Sequence, residues 1–167
     1  MSIVYVGGRR NFLKISLLSS AFIVTNGSQV FGAITPLQTL SLLQDDLFPQ
    51  AKSLHVKSSH YLSLYVLRHP RITYETKQFI RNGTKWLNES SVEIYDEMYV
   101  KLPTLKRQAV LKSIAQEEWG ENFIYTILSY IMEATLSDPI YGASTKEQGW
   151  QWLEFNGGYP RPKKVYM

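Results

Sequence analysis

No cysteine occurs anywhere in this 167-residue chain. That absence removes disulfide staples, thiolate catalysis, zinc ribbons, iron–sulfur clusters and covalent haem attachment, so packing alone must hold the fold. Histidine is scarce: only His55, His60 and His69 are present. They form no i, i+4 pair and no H-E-x-x-H motif, which makes surface or turn positions the expectation for all three. G-x-G-x-x-G and G-x-S-x-G are both missing, so neither a dinucleotide fingerprint nor a nucleophile elbow is encoded. The acids that stand side by side, Asp45-Asp46 and Glu117-Glu118, point to different sides of a helix and are expected on solvated faces. No internal repeat and no sustained strand-like alternation is visible. The sequence offers no catalytic, cofactor-binding or metal-ligating set.

Hydrophobic residues make up 44% of the chain, enough for a real core. The net charge of +4 needs dissecting before it is used. Arg9, Arg10 and Lys14 lie in a stretch that holds no acid; without them 15 basic residues face 14 acidic ones, a net of +1. The remaining charge is interspersed, and only Arg161, Lys163 and Lys164 cluster. Nucleic-acid binding therefore finds no support in the basic balance.

The acid-free stretch is Gly8-Arg9-Arg10-Asn11-Phe12-Leu13-Lys14, followed by the apolar run Ile15 to Val24. Ten residues fall well short of the roughly 20 that a membrane-spanning helix needs. Arginine pair, Phe12, Leu13, Lys14, short apolar core and small-residue exit together look like a twin-arginine export signal. A cleavage point after Gly32 leaves about 135 residues, the size of one domain. The expected organisation is a signal over 1–32, a helical domain over 33–148 and an extended tail over 149–167. Twin-arginine export resembles a route for passengers that fold, and often load a cofactor, before crossing the membrane.

Helical periodicity dominates the remainder. Thr35-Pro36 reads as an N-cap with proline at the first helical position, followed by Leu37, Leu40, Leu43 and Leu47, with Phe48-Pro49 as the stop. Ser58-Ser59 opens a second helix, which His69-Pro70 ends. Thr73 opens a third, with Phe79, Ile80, Trp86 and Leu87, interrupted at Gly83. Glu93 to Tyr99 reads as a separate short helix. Pro103 begins another, with Leu105, Ala109, Leu111 or Val110, Ile114 and Ala115 along one face, closed by Trp119-Gly120. Phe123, Ile124, Ile127, Leu128, Ile131, Met132 and Leu136 mark the widest apolar stripe and the expected central core helix. The fold class is all-α, a single compact domain of five or six helices with an extended aromatic C-terminal tail.

After Ser137 the texture changes to Asp138-Pro139-Ile140-Tyr141-Gly142, then Gly149-Trp150-Gln151-Trp152, then Asn156-Gly157-Gly158-Tyr159-Pro160-Arg161-Pro162. Trp150 and Trp152, two apart, cannot share a helical face, so one is left for a partner. The Asp-Pro-Ile-Tyr-Gly block followed by Gly149-Trp150, with the twin-arginine stretch and the Leu-rich first helix, resembles the gluconate 2-dehydrogenase subunit 3 family. This sequence has Ala143-Ser144 where that motif continues Gly-Asn.

The resemblance implies a small, non-catalytic subunit of a periplasmic flavin-dependent dehydrogenase acting on sugars or sugar acids. It also implies an FAD-bearing large subunit of the glucose–methanol–choline oxidoreductase type, and a membrane-bound cytochrome c whose haem takes the electrons. This chain would then escort its large subunit through export. The expected partner interface comprises Asp138, Pro139, Tyr141, Gly142, Gly149, Trp150, Trp152, Tyr159 and Arg161. The competing expectation is a stand-alone periplasmic helical binding protein with no flavoprotein partner.

Overall fold

The computed structural model describes residues 36–165, which all belong to one compact unit. Every regular element among them is helical, as the all-α reading expects. They are α1 (Pro36–Leu47), α2 (Pro49–Ser53), α3 (Ser58–Tyr61), a π turn (Leu62–Val66), α4 (Tyr74–Tyr95), a 3-10 turn (Tyr99–Lys101), α5 (Thr104–Ile114), α6 (Glu118–Leu136), a second 3-10 turn (Pro139–Tyr141) and α7 (Gln148–Trp152). The α-helices exceed the expected five or six because α2, α3 and α7 span only four or five residues each. The twin-arginine residues Arg9, Arg10, Phe12, Leu13 and Lys14, and the N-cap expected at Thr35, lie outside the described residues.

Helix α6 is the core helix. Gly120, Phe123, Ile127, Ile131, Ala134 and Thr135 are buried at steps of three and four, and the helix touches α1, α3, α4, α5 and α7. Complete burial of each Phe or Ile side chain contributes roughly 1.5–3 kcal/mol, so this stripe is the largest single source of cohesion. Against it α1 turns Thr39, Leu40, Leu43 and Gln44, while Leu37 stays exposed. The chain stops at Phe48, and Pro49 serves as the first residue of α2, where its missing N–H has no consequence.

Helix α4 corrects two expectations. Thr73 caps it, its Oγ1 accepting the Thr76 N–H at 3.2 Å. Gly83 was expected to interrupt the helix, yet the helix passes through it unbroken. Gly83 is buried under Phe123, and a Cβ at that position would collide with the ring, so the glycine serves close packing and not a bend. The helix then runs on to Tyr95 and absorbs the start of the segment read as a separate helix from Glu93. Asp96, in the left-handed region at φ 56°, ends it.

Helix α5 packs by its second half. Val110, Leu111 and Ile114 are buried, whereas Leu105 is 87% exposed and Ala109 is also exposed, so the apolar face expected from Leu105 does not exist as drawn. Trp119-Gly120 does not close α5 either, because both lie in the first turn of α6. Gly120 is pressed against the Ile114 carbonyl there, an approach that no Cβ permits.

Of the two adjacent acids, Asp45 is exposed as expected, but Asp46 is not. The Asp46 carboxylate is buried and receives Arg107 on both oxygens, Nε at 2.6 Å and Nη2 at 2.9 Å, with the Tyr99 hydroxyl donating at 2.8 Å. Arg107 also donates to the Leu102 carbonyl at 2.7 Å, so this fork fastens α5 to the end of α1. The hydrogen bond to Asp46 holds the Arg107 guanidinium above its ordinary range. Burial, then the same carboxylate, pushes the Tyr99 phenol well above the usual tyrosine value.

Candidate functional site

The candidate site grows out of the C-terminal end of α6. After Ser137, Asp138 accepts the Ile140 N–H on Oδ1 at 3.0 Å, Pro139 supplies a preset φ, and Gly142 closes the turn at φ 72°. Asp138, Pro139 and Gly142 thus each have a local backbone reason to be there. The turn is anchored by Tyr141, whose ring meets Tyr65 edge-on at 5.3 Å and Tyr61 at 6.4 Å. Tyr61 in turn donates to Glu133 of α6 at 2.9 Å; burial, then that bond, raises its phenol far above the ordinary value. Burial, with Glu133 second, also raises Tyr130.

The next two residues, Ala143 and Ser144, are buried. The Ala143 carbonyl accepts the Lys57 N–H at 2.9 Å, and Ser144 Oγ accepts the Gly149 N–H at 3.2 Å. These two positions therefore tie the turn to the entrance of α3 on one side and to α7 on the other.

The segment from Gly149 to Trp152 was expected to be extended. It is instead most of the short helix α7, so the boundary drawn at 148 falls inside an element. Gly149 fits because it lies directly on the Thr135 carbonyl, where a Cβ has no room. Trp150 is 9% exposed, and its Nε1 donates to the Leu136 carbonyl at 2.7 Å, satisfying one of the carbonyls that the end of α6 leaves without a helical partner. Trp152 faces elsewhere, 44% exposed with its edge 5.8 Å from Phe48.

Beyond α7 the chain folds back. Phe155 packs edge-on to Trp150 at 5.8 Å, and Gly157 passes close over the same indole. Arg161 then lies 4.3 Å above the Trp150 ring and 5.4 Å from that of Tyr159. Its guanidinium bonds Asp138 Oδ2 at 3.2 Å and Glu147 Oε1 at 2.7 Å. The physical reason is that a planar five-donor cation finds two carboxylates and an aromatic face on its own chain. The charge of Arg161 is thus neutralised within its own chain, which leaves Lys163 and Lys164 as exposed cations.

Over residues 35–158 the sequence matches the family described as gluconate 2-dehydrogenase subunit 3. The chain belongs to that family. No curated protein and no solved structure matches it. The family's name makes this chain a subunit 3 of the gluconate 2-dehydrogenase type, which implies a dehydrogenase as partner. The matched region includes α7 and the turn at Asp138, and it ends just before Tyr159 and Arg161. The contacts of Arg161, a latch on the tail, therefore join two acids and an indole inside the family region to a cation beyond it.

Of the expected interface residues, the subunit 3 fold brings Asp138, Trp150, Tyr159 and Arg161 together. Pro139, Tyr141 and Gly142 lie in the adjoining turn and Gly149 lies beneath Trp150. Trp152 stands apart. Sequence reasoning missed Glu147, the latch's second carboxylate, and Leu153, which joins Trp152, Phe155 and Tyr159 among the exposed large hydrophobics of this end. The Glu147 to Arg161 separation of 14 residues crosses a helix and a glycine-rich turn, and no periodicity signals such a pair. Among the described residues no group of histidines and acids is arranged to hold a metal, and no helix is long and apolar enough to cross a membrane.

Proposed function

We propose that this chain is the small, non-catalytic subunit of a periplasmic, flavin-dependent dehydrogenase. Its role is to escort the FAD-bearing large subunit, of the glucose–methanol–choline oxidoreductase type, through twin-arginine export and to stabilise it. Flavin and haem belong to partner chains in this reading: FAD to the large subunit, haem to a membrane-bound cytochrome c that also holds the complex at the membrane. The observation that carries the proposal is family membership over residues 35–158. What supports an interface at the C-terminal end is the exposure of Trp152, Leu153, Phe155 and Tyr159 within eight consecutive positions. Large rigid aromatics of this kind are enriched at binding hot spots. The alternative is a stand-alone periplasmic helical binding protein with no flavoprotein partner.

The test is to co-express the chain with the large subunit encoded beside it and to follow both by cell fractionation. With Arg9→Lys and Arg10→Lys together, which keep charge but lose the guanidinium fork, both chains should remain in the cytoplasm. A large subunit that still reaches the periplasm would refute the escort role.

A further inference from the structure

A cleft lies between α1, the π turn and α4, lined among the described residues by Pro36, Leu37, Leu40, Ser63, Leu67, Arg68, Arg81 and Thr84. Its volume is about 330 Å³. Its walls are leucines, one of which, Leu37, is exposed, and the only charges among these residues are the two arginines. Both arginines are exposed, and neither has an acidic partner among the described residues.

The surrounding chemistry makes this unusual for the molecule. On α4, Lys77, Arg81 and Lys85 follow at steps of four, an arrangement that weakens an isolated helix by a few tenths of a kcal/mol per like-charged pair. Lys77 is relieved by the His69 carbonyl at 2.6 Å, and Lys85 by Glu89 at 3.5 Å. Arg81 alone of the three is left facing the cleft. Arg68 follows the π turn over Leu62–Val66 by two residues and lines both this cleft and the smaller one of Leu64, Tyr65, His69 and Pro70. Single π turns inside helical segments are frequent at functional positions.

We propose that this cleft is a second docking site for the partner dehydrogenase. It would take an acidic, leucine-like peptide segment that places an apolar side chain on Leu37, Leu40 and Leu67 and a carboxylate between Arg68 and Arg81. Charge complementarity commits the occupant: two guanidinium forks without an acidic partner among the described residues, at an apolar cleft, select an anion carried on an apolar body, and arginine binds carboxylates through paired N–H donors. This site is distinct from the C-terminal aromatic surface. It rests on the reading of the chain as a dehydrogenase subunit, because that reading supplies the partner.

The experiment uses the full chain and the purified large subunit, with affinity measured at low and at high salt. Arg68→Glu with Arg81→Glu should raise Kd at low salt about tenfold or more and flatten the salt dependence, since exposed interfacial charges act through steering and complementarity. Thermal melting should stay within a degree or two of wild type. Arg68→Lys with Arg81→Lys should restore part of the affinity. In the free chain a dicarbonyl reagent specific for guanidinium groups should modify both arginines, and complex formation should protect them. Wild-type affinity in the Glu variant, with the complex otherwise intact, overturns the cleft and leaves the subunit reading standing. No complex with wild type overturns both. Protection already present in the free chain means that its own residues fill the cleft, and overturns the proposal. So does binding of the wild-type chain, but not the Glu variant, to vesicles of anionic lipid while both bind the large subunit equally, because the site would then read a membrane.

Discussion

Replacing Arg161 by alanine should undock the C-terminal tail while leaving the helical domain folded. The contacts at stake are two ion pairs and one stacking contact. The side chain of Arg161 is 25% exposed, and its partners Asp138 and Glu147 are 20% and 45% exposed. Solvent screening at that exposure limits each pair to roughly 0.5–1 kcal/mol. A guanidinium over an indole adds roughly 0.5–2 kcal/mol. The latch thus contributes on the order of 1.5–4 kcal/mol. The backbone entropy lost in holding the stretch from Asn156 to Arg161 opposes it.

Phe155 on the Trp150 ring shares in holding the tail, and losing Arg161 removes the charged part of that attachment and tips the tail outward. Hydrogen exchange followed by mass spectrometry should show loss of protection over residues 156–165. Trp150 fluorescence should shift to the red as the stacked face meets water, and the melting temperature should fall by no more than several degrees. Arg161→Lys should restore the charge but not the stack, and give an intermediate result. Two results would refute the reasoning: unchanged tail protection, or a fall in melting temperature beyond about 15 °C, the size expected from losing a core element.

Other perturbations test the domain itself. Asp46→Ala strands the Arg107 guanidinium in a site it can barely leave and removes the Tyr99 acceptor; a loss of about 3–5 kcal/mol in denaturant unfolding is expected. Gly83→Ala, which would stabilise an ordinary exposed helix, should destabilise this one by about 1–3 kcal/mol because the new methyl meets the Phe123 ring. Both polar side-chain atoms of buried Gln44 lack a hydrogen-bond partner among the described residues, so Gln44→Leu should raise stability by about 1 kcal/mol or more; a loss in thermal melting would show that the amide is satisfied in solution. Tyr61, Tyr99 and Tyr130 all hold their protons more tightly when folded, so their contribution is complete below about pH 10. It is lost as pH rises from there toward their folded values, a decline that a pH series of melts will reveal.

What the sequence disclosed and what it hid divide along a physical line. Helices whose apolar residues recur on one face were legible, and α6 emerged as the core helix, with Phe123, Ile127 and Ile131 buried and Ile124, Leu128, Met132 and Leu136 partly so, because one-sided burial writes itself into spacing. Gly83 and Gly120 misled for the opposite reason. A glycine that admits a neighbouring ring or carbonyl looks, in sequence, like one that breaks a helix, and only the neighbour's position tells them apart. Asp46 misled because an acid beside another acid reads as a solvated pair, while its partner Arg107 lies 61 positions away. The turn at Asp138-Pro139-Ile140-Tyr141-Gly142 was legible, since cap, proline and left-handed glycine are all local chemistry. The latch was not, since it needs Glu147 and Asp138 to converge on Arg161 through α7.

That convergence bears on how the C-terminal end works with a partner. The aromatic residues fall into two sets that the sequence could not separate. Trp150 is internal, its Nε1 capping α6 and its face covered by Arg161, so it organises the surface without being offered by it. Trp152, Leu153, Phe155 and Tyr159 form the exposed set, and the tail holds two of them in place through a latch of only a few kcal/mol. An arm docked this weakly is presented in a defined conformation yet can leave it at little cost when a larger surface competes for Phe155 and Tyr159. In that case Arg161→Ala and truncation after Glu154 should weaken binding of the large subunit to very different degrees. The first leaves the aromatics available and weakens binding only by the lost preorganisation, whereas the second deletes them and weakens it severely. Equal weakening by both would mean that the latched arrangement itself, and not the aromatic arm, is what the partner recognises.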